Sequence, residues 1–448
     1  MAVVGAGTLL GKALAMVKDM AVASYFGTSD AVDAFFIALA VPTFAINVVA
    51  GSLPVALLPV YIRVRDTRGL ADASRLLSNI LVVAAGLIAS ASLLLVLAAP
   101  TILPLAGATF SGEKLELTRN LFLLLLPAIL LSGISGILAA VLNAHNRFWL
   151  AAVTPAFTAV MSISFLLTSA SRWGIYALAI GLGAGYLAEL LVLAWSLRRR
   201  RLFARWDWAP WRSLEVREVL AQYTPLAIGA AVMSSSPLID QAMAAALGPR
   251  NVASLAYGSK VVAAGLGIGV TAVTTAIFPH FSTMVAAKDW AGVRQTLRTY
   301  SRVVLAGAVP VVVLVVVLSD SIIRALFERG EFTPSDTRVV GQVQALFALQ
   351  IPFYILGMIG VRLLSAASAN KTLMWLSIAN FVTNIVGNYV FMRFWGVAGI
   401  ALSTSMVYAI SAAVAHYCVA RRIDRLEAEA SSSDPGLRGS STGGSHGR

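Results

Sequence analysis

Apolar runs of roughly 20 to 30 residues follow one another along nearly the whole chain, separated by polar or Gly/Pro-marked breaks. Each run is long enough to cross a hydrocarbon core of about 30 Å as a helix. The runs are continuously apolar, whereas a barrel strand would be about ten residues of alternating polarity. Twelve spans are predicted, near residues 2–26, 33–62, 76–106, 116–143, 147–169, 174–197, 218–246, 252–284, 299–327, 336–367, 371–393 and 396–420. The first lacks the short apolar core and small-residue cleavage site of a secretory signal and reads as a membrane helix. The predicted fold class is all-α, a polytopic membrane protein of about 12 transmembrane helices.

The pattern repeats. Sliding the chain over itself by about 220 residues sets KDMAVASYFG on IDQAMAAALG, so that Asp19 falls on Asp240 and Gly27 on Gly248. Pro59 then meets Pro279, Trp173-Gly174 meets Trp395-Gly396, and Tyr186 meets Tyr408. An ordered series of this kind indicates duplication, and copies of six spans share one orientation: two parallel six-helix repeats around a central cavity. The predicted division is an N-lobe over 1–197, a basic amphipathic linker over 198–217, a C-lobe over 218–420 and a disordered cytoplasmic tail over 421–448.

Composition agrees: 58% of residues are hydrophobic and 12% charged, about half the charged share of a soluble domain. The net charge of +13 is unevenly placed. Loops after even-numbered spans hold Arg63, Arg65, Arg68, Arg147, Arg198 to Arg201, Lys371, Arg421 and Arg422, whereas the opposite loops hold few cations, among them Lys114, Arg172, Arg250 and Arg329. The positive-inside rule puts both termini in the cytoplasm. Basic charge at membrane borders, without a nucleic-acid-binding fold, gives no reason to expect nucleic acid as a partner. One cysteine, Cys418, and four scattered histidines leave no disulfide or zinc framework.

Ionisable residues inside spans face aqueous cavities or pair with one another, because their burial in lipid is costly. Lys18 and Asp19 in span 1, Asp33 in span 2, Glu189 in span 6, Asp240 in span 7, Lys260 in span 8 and Arg362 in span 10 are the candidates. Asn380, Asn384 and Asn388 recur every four residues and draw a polar stripe along span 11. Such a stripe either ties helices together through amide hydrogen bonds or, with Asp240 and Thr404, surrounds a hard cation with oxygen ligands.

Four segments, FGTSDAVDAFFIALAVP, ILAAVLNAHNRFWLAAVTPAF, AYGSKVVAAGLGIGVTAVTTAIFPHFS and LFERGEFTPSDT, resemble the murein precursor flippases of the MurJ/MviN type, within the multidrug/oligosaccharidyl-lipid/polysaccharide (MOP) exporter superfamily. The resemblance implies a transporter, not an enzyme, that carries a polyprenyl-pyrophosphate-linked glycan such as lipid II between leaflets of the bacterial inner membrane. The alternatives are a flippase for exopolysaccharide or O-antigen units and a non-transporting scaffold. It further implies substrate contact by Lys18, Asp33, Lys260, Asn47 and Arg362. Where the family carries arginines, this chain has Lys18 and Lys260, and the second-span arginines have become apolar or Asn47. Relatives that bind sodium use a span 7 carboxylate, two span 11 residues and a threonine sixteen residues on, a spacing matched by Asp240, Asn384, Asn388 and Thr404. The coupling ion is then Na+ or H+, with no other cofactor, and Asp19 and Glu189 are structural charges. Since neighbouring helical residues point about 100° apart, the expected partner of Asp19 lies on another N-lobe helix. Membrane lipids and cell-envelope biosynthesis proteins complete the expected partners.

Overall fold

The structure is a computed structural model that describes residues 2–200, 202–203, 210–287, 289–366 and 369–432. It is all-helical among these residues. In chain order the helices are α1 (Ala2–Phe26), α2 (Asp30–Ala45), α3 (Leu53–Arg68), α4 (Leu70–Ala106), α5 (Gly112–Ala144), α6 (Phe148–Val153), α7 (Ala156–Trp173), α8 (Tyr176–Arg199), α9 (Leu214–Ala246), α10 (Asn251–Ala286), α11 (Trp290–Val317), α12 (Ser319–Phe327), α13 (Pro334–Ala348), α14 (Gln350–Ala366) and α15 (Asn370–Ser432). They occupy all twelve predicted spans. Among the described residues, eight helical segments, some joining consecutive helices, are long and apolar enough to cross a membrane by hydropathy. α1, α9 and α10 are not among them, and these carry Asp19, Asp240 and Lys260.

Several spans are broken where the sequence predicts one helix. Span 2 is α2 and α3 joined through a π-helical turn, Ile46–Ala50, in which Gly51 N–H reaches back to the Ile46 carbonyl at 2.9 Å. Pro42 and Pro54, which lack donors, flank the turn. Such wide turns concentrate at functional sites, and this one carries Asn47. Span 5 breaks at Thr154-Pro155 between α6 and α7, and span 10 at Leu349 between α13 and α14. Spans 11 and 12 lie within α15, parted at Gly396 (φ 54, ψ −136). Its partner in the repeat, Gly174, ends α7 in nearly the same left-handed conformation (φ 52, ψ −135). Both follow a tryptophan, so the duplication is visible in backbone dihedrals as well as in residues.

By packing, the described residues form two compact units, one of 1–260, 318–344 and 388–401, the other of 261–317, 345–387 and 402–432. In the first, α7 and α8 meet through small residues: a Cβ on Gly185 would lie 2.4 Å from Thr158 Cα, and one on Gly181 2.7 Å from Ser162 Cα. Close backbone approach of this kind drives helix association in lipid, where apolar contact alone gives no advantage. An apolar core of Leu57, Tyr61, Leu77, Ile80, Val141, Leu193 and Val216 ties α3, α4, α5, α8 and α9 together. The second unit has its own core around Leu297, Ile359, Leu363, Ala415 and Val419. The predicted disordered tail from 421 is corrected as far as the described residues go. α15 continues to Ser432 because Arg421 to Leu426 keep good helix formers and Ile423 packs into the second core. The remainder of the tail, and Arg205, Trp206 and Trp208 of the linker, lie outside the described residues.

Candidate functional site

Lys18 and Asp19 leave α1 on the side facing the start of α10, where Lys260 projects from its third turn. Lys260 Nζ lies 2.7 Å and Lys18 Nζ 3.2 Å from the same oxygen, Asp19 Oδ1. The expected N-lobe partner of Asp19 is therefore replaced by a lysine from α10: a side chain of span 1 reaches across to span 8. One carboxylate shared by two ammoniums leaves the trio with a formal charge of +1. The trio lines a cavity of about 390 Å³ with Phe36, Asn47 and Gln241, and Tyr186 and Ser234 add hydroxyls. Lys260 Nζ sits 4.6 Å from the Phe36 ring centroid and 5.7 Å from that of Tyr257, so the aromatic faces hold it on its unpaired side. Side-chain exposures of 29% for Lys260 and 23% for Lys18 leave both ammoniums within reach of a ligand.

Asp33 is not part of this cavity, contrary to the expectation that it serves the substrate. Its side chain is fully buried and its oxygens are taken. Oδ2 accepts from Lys114 Nζ at 2.9 Å and from the Arg250 backbone N–H at 2.7 Å, and Oδ1 from the Ala253 N–H at 2.8 Å. The carboxylate caps the first turn of α10, where orphan N–H groups and the helix dipole favour an anion. Lys114, assigned to a loop by hydropathy, is buried in the first turn of α5, bonds Asp30 as well at 2.6 Å, and lies over the Phe110 ring. The sequence signal that marks its helix start is Ser111, whose side chain accepts the Lys114 N–H.

Next to Asp33 the α1–α2 turn is sealed against the loop between α12 and α13. Gly27 has φ 54, and a Cβ there would lie 2.4 Å from the Glu331 carbonyl oxygen, so only glycine fits. The Glu331 N–H donates to Ser24 O at 3.0 Å, Thr28 Oγ1 donates to Asp336 Oδ1 at 2.6 Å, and the Tyr257 hydroxyl donates to Gly27 O at 3.3 Å. Tyr257 is fully buried among Phe36, Phe327 and Phe332, with ring centroids 5.2 to 5.9 Å away. It stands three residues before Lys260, on the same face of α10. One helix thus carries both the seal and a cavity cation. The sequence reading missed Tyr257, because an apolar-flanked tyrosine looks like any core aromatic.

Of the proposed cation set, Asp240 and Asn388 belong to the first unit and Asn384 and Thr404 to the second. Asn388, fully buried, donates through Nδ2 to Asp240 Oδ1 at 2.6 Å, and its own Oδ1 has no hydrogen-bond partner among the described residues. Gln241, beside Asp240, also has a buried Oε1 without a partner among the described residues. Asn384 and Thr404 belong to the second unit, where Asn384 accepts from Ser403 through its backbone carbonyl at 3.4 Å. Asn380 ties α15 to itself across the Gly396 break by donating to Ser411 Oγ at 2.9 Å. Glu189 is buried on α8 one turn beyond Tyr186. Arg362 is exposed on α14 in the second unit.

The profile described as lipid II flippase MurJ matches residues 22–432. A probable lipid II flippase MurJ from Vibrio cholerae serotype O1 is 26% identical over 423 residues, 90% of this chain and 79% of the relative. One from Synechocystis sp. is 23% identical over 440 residues, 95% and 81% of the two chains. Among solved structures, a lipid II flippase MurJ in an inward closed conformation superposes with a TM-score of 0.81 at 23% identity, over 96% of this chain and 90% of that one. An inward-facing multidrug resistance MATE family transporter of the MOP superfamily gives 0.77 at 14% identity, over 93% and 96%. These likenesses establish the MOP-type fold, and with a profile match over nearly its whole length the chain belongs to the lipid II flippase MurJ family.

Proposed function

We propose that this membrane protein is a flippase that carries lipid II, a polyprenyl-pyrophosphate-linked murein precursor, from the inner to the outer leaflet of the cytoplasmic membrane. The observation that carries the reading is the Lys18–Asp19–Lys260 trio on the wall of a cavity, a net cationic site for a pyrophosphate. An entering pyrophosphate takes over the ammonium hydrogen bonds that Asp19 holds in its absence. Charge-assisted bonds of this type are about twice as strong as neutral ones. Asp19 keeps the empty cavity from holding two unpaired cations, and it competes for the lysines when the headgroup must leave. Lysine offers a point charge rather than a bidentate fork, which favours turnover over tight capture.

Positive-inside charge places both termini and the 198–217 linker in the cytoplasm, and so puts the Gly27–Glu331 seal at the outer face. Opening that end breaks three hydrogen bonds, each worth about 1 kcal/mol, and separates aromatic pairs worth about 0.5 to 1.5 kcal/mol each. A bound headgroup that pulls on Lys260 acts on the helix that carries Tyr257. The duplicated six-helix lobes, 1–197 and 218–420, are the bodies that rock. Asp240 is the coupling residue, with the unpartnered Asn388 Oδ1 as a second oxygen for Na+; protonation of Asp240 is the other form of the same coupling. Family membership supports lipid II over exopolysaccharide or O-antigen units.

The test is lipid II translocation in proteoliposomes, with the Lys18→Gln/Lys260→Gln variant reconstituted beside the wild type. Loss of translocation with normal membrane insertion is expected. Wild-type translocation by the variant overturns the site.

A further inference from the structure

A second cationic cavity lies in the other compact unit, far along the chain from Lys18, and the flipping reaction does not call on it. α15 turns back at Gly396, and Lys371 and Arg421 each stand 25 residues from that glycine. The fold therefore brings the two ends of α15 together. Lys371, Arg421, Arg422 and Arg425 line one cavity of about 500 Å³, with the Thr372 hydroxyl beside them and Leu364 and Cys418 on the apolar wall. No acidic side chain is among its described lining residues. The nearby carboxylate, Asp424, bonds Arg294 at 2.5 Å. Arg422 Nε is buried and has no hydrogen-bond partner among the described residues. Four cations around one cavity, with no carboxylate among its described lining residues, is an uncompensated arrangement, and it selects for an anion rich in acceptor oxygens.

The surroundings say what carries that anion. Tyr417, 56% exposed, stacks under the Arg421 guanidinium at 4.9 Å, and Trp375, 64% exposed, lies on the first turns of α15. Exposed aromatics beside arginines at the ends of apolar helices mark the depth of lipid headgroups. An open cavity with an apolar wall admits a headgroup together with the start of its acyl chains.

We propose that this cavity is a binding site for the phosphate of an anionic phospholipid, held between the ends of α15 and the end of α14. Basic pockets between helix ends bind such headgroups, each nearby cation contributing a several-fold gain. The bound lipid ties the final turns of α15 to α14.

The experiment uses the full chain in nanodiscs of phosphatidylcholine with or without phosphatidylglycerol, and native mass spectrometry of the released protein. The wild type retains phosphatidylglycerol in preference to phosphatidylcholine, and Lys371→Gln/Arg425→Gln reduces that retention roughly tenfold or more. Circular dichroism of the variant reports whether it is folded. If it is not, Arg421→Gln alone, which leaves the buried Arg422 in place, reduces retention several-fold. Equal retention of the two lipids overturns the proposal. Displacement of phosphatidylglycerol by millimolar inorganic phosphate also overturns it, since it makes the cavity a site for a soluble anion.

Discussion

Asp33 and Asp19 are both buried carboxylates at the meeting of α1, α2 and α10, yet their surroundings differ in sign and in access. Around Asp33 one buried lysine faces two aspartates, and backbone N–H groups of α10 complete the shell. Around Asp19 two partly exposed lysines share one oxygen and border open space. A carboxylate whose acceptors are all used fixes helices in place. A carboxylate outnumbered by cations leaves positive charge available to something else. Chemistry of the residue alone does not separate the two; the count of partners does.

The largest effect separates them by stability. Asp33→Ala strands Lys114 and removes the cap of α10, at a cost of about 3 to 5 kcal/mol typical of a broken buried pair. Thermal unfolding in detergent should show a large drop, or folded protein should not be recovered. Asp19→Asn should leave the melting temperature much closer to wild type.

The next effect sharpens the comparison through the seal that adjoins Asp33. Gly27→Ala forces a Cβ into the Glu331 carbonyl and a left-handed backbone on a residue that disfavours it, costing about 1 to 2 kcal/mol. In a chain with Cys418→Ser, a cysteine at Ser259 on the cavity wall should become several-fold more reactive to an external impermeant thiol reagent in the Gly27→Ala background. Unchanged reactivity would show that the Gly27–Glu331 contact does not close the cavity.

A smaller effect concerns the second repeat. Asp240→Asn keeps a hydrogen-bonding shape beside Asn388 but removes the charge; if Asp240 is the coupling residue proposed above, any acceleration of transport by an imposed Na+ or proton gradient in the wild type should be lost in this variant while insertion is normal. Persisting ion dependence would release Asp240 from that role.

The smallest lies at the start of α9. Glu215 accepts from Ser213 Oγ and pairs with Arg68, and these contacts, the serine first, hold its carboxyl below the ordinary glutamate range. A lowered folded value means a stabilising contribution that is complete above the ordinary value and is lost as pH falls through the depressed one. The pair is partly exposed, so Glu215→Gln should cost under about 1 kcal/mol at neutral pH and nothing at strongly acid pH.

Much of this was legible in the sequence. Long apolar runs gave the spans, and the Trp-Gly pairs gave the repeat that Gly174 and Gly396 share in their dihedrals. Lys18, Asn47 and Lys260, three of the residues the sequence singles out, line one cavity. What was not legible was pairing. Asp33 and Asp19 look alike as intramembrane acids, and only the fold assigns Lys114 to one and Lys260 to the other. The π-helical turn that presents Asn47 was also invisible, because a run of apolar residues reads as one helix whether or not its hydrogen bonds shift register. The predicted division at the linker and the two compact units differ because α9, beyond the linker, packs on α2, α3 and α4.

The claim that the cationic surplus at Asp19 receives the pyrophosphate is tested most directly by lipid II binding and flipping in three reconstituted forms. They are the wild type, Asp19→Asn, and Lys18→Gln/Asp19→Asn/Lys260→Gln, which removes the lysines without stranding a buried carboxylate. Asp19→Asn should bind lipid II more tightly than the wild type and flip it more slowly, and the triple variant should neither bind nor flip. Wild-type binding and flipping by the triple variant would contradict that claim.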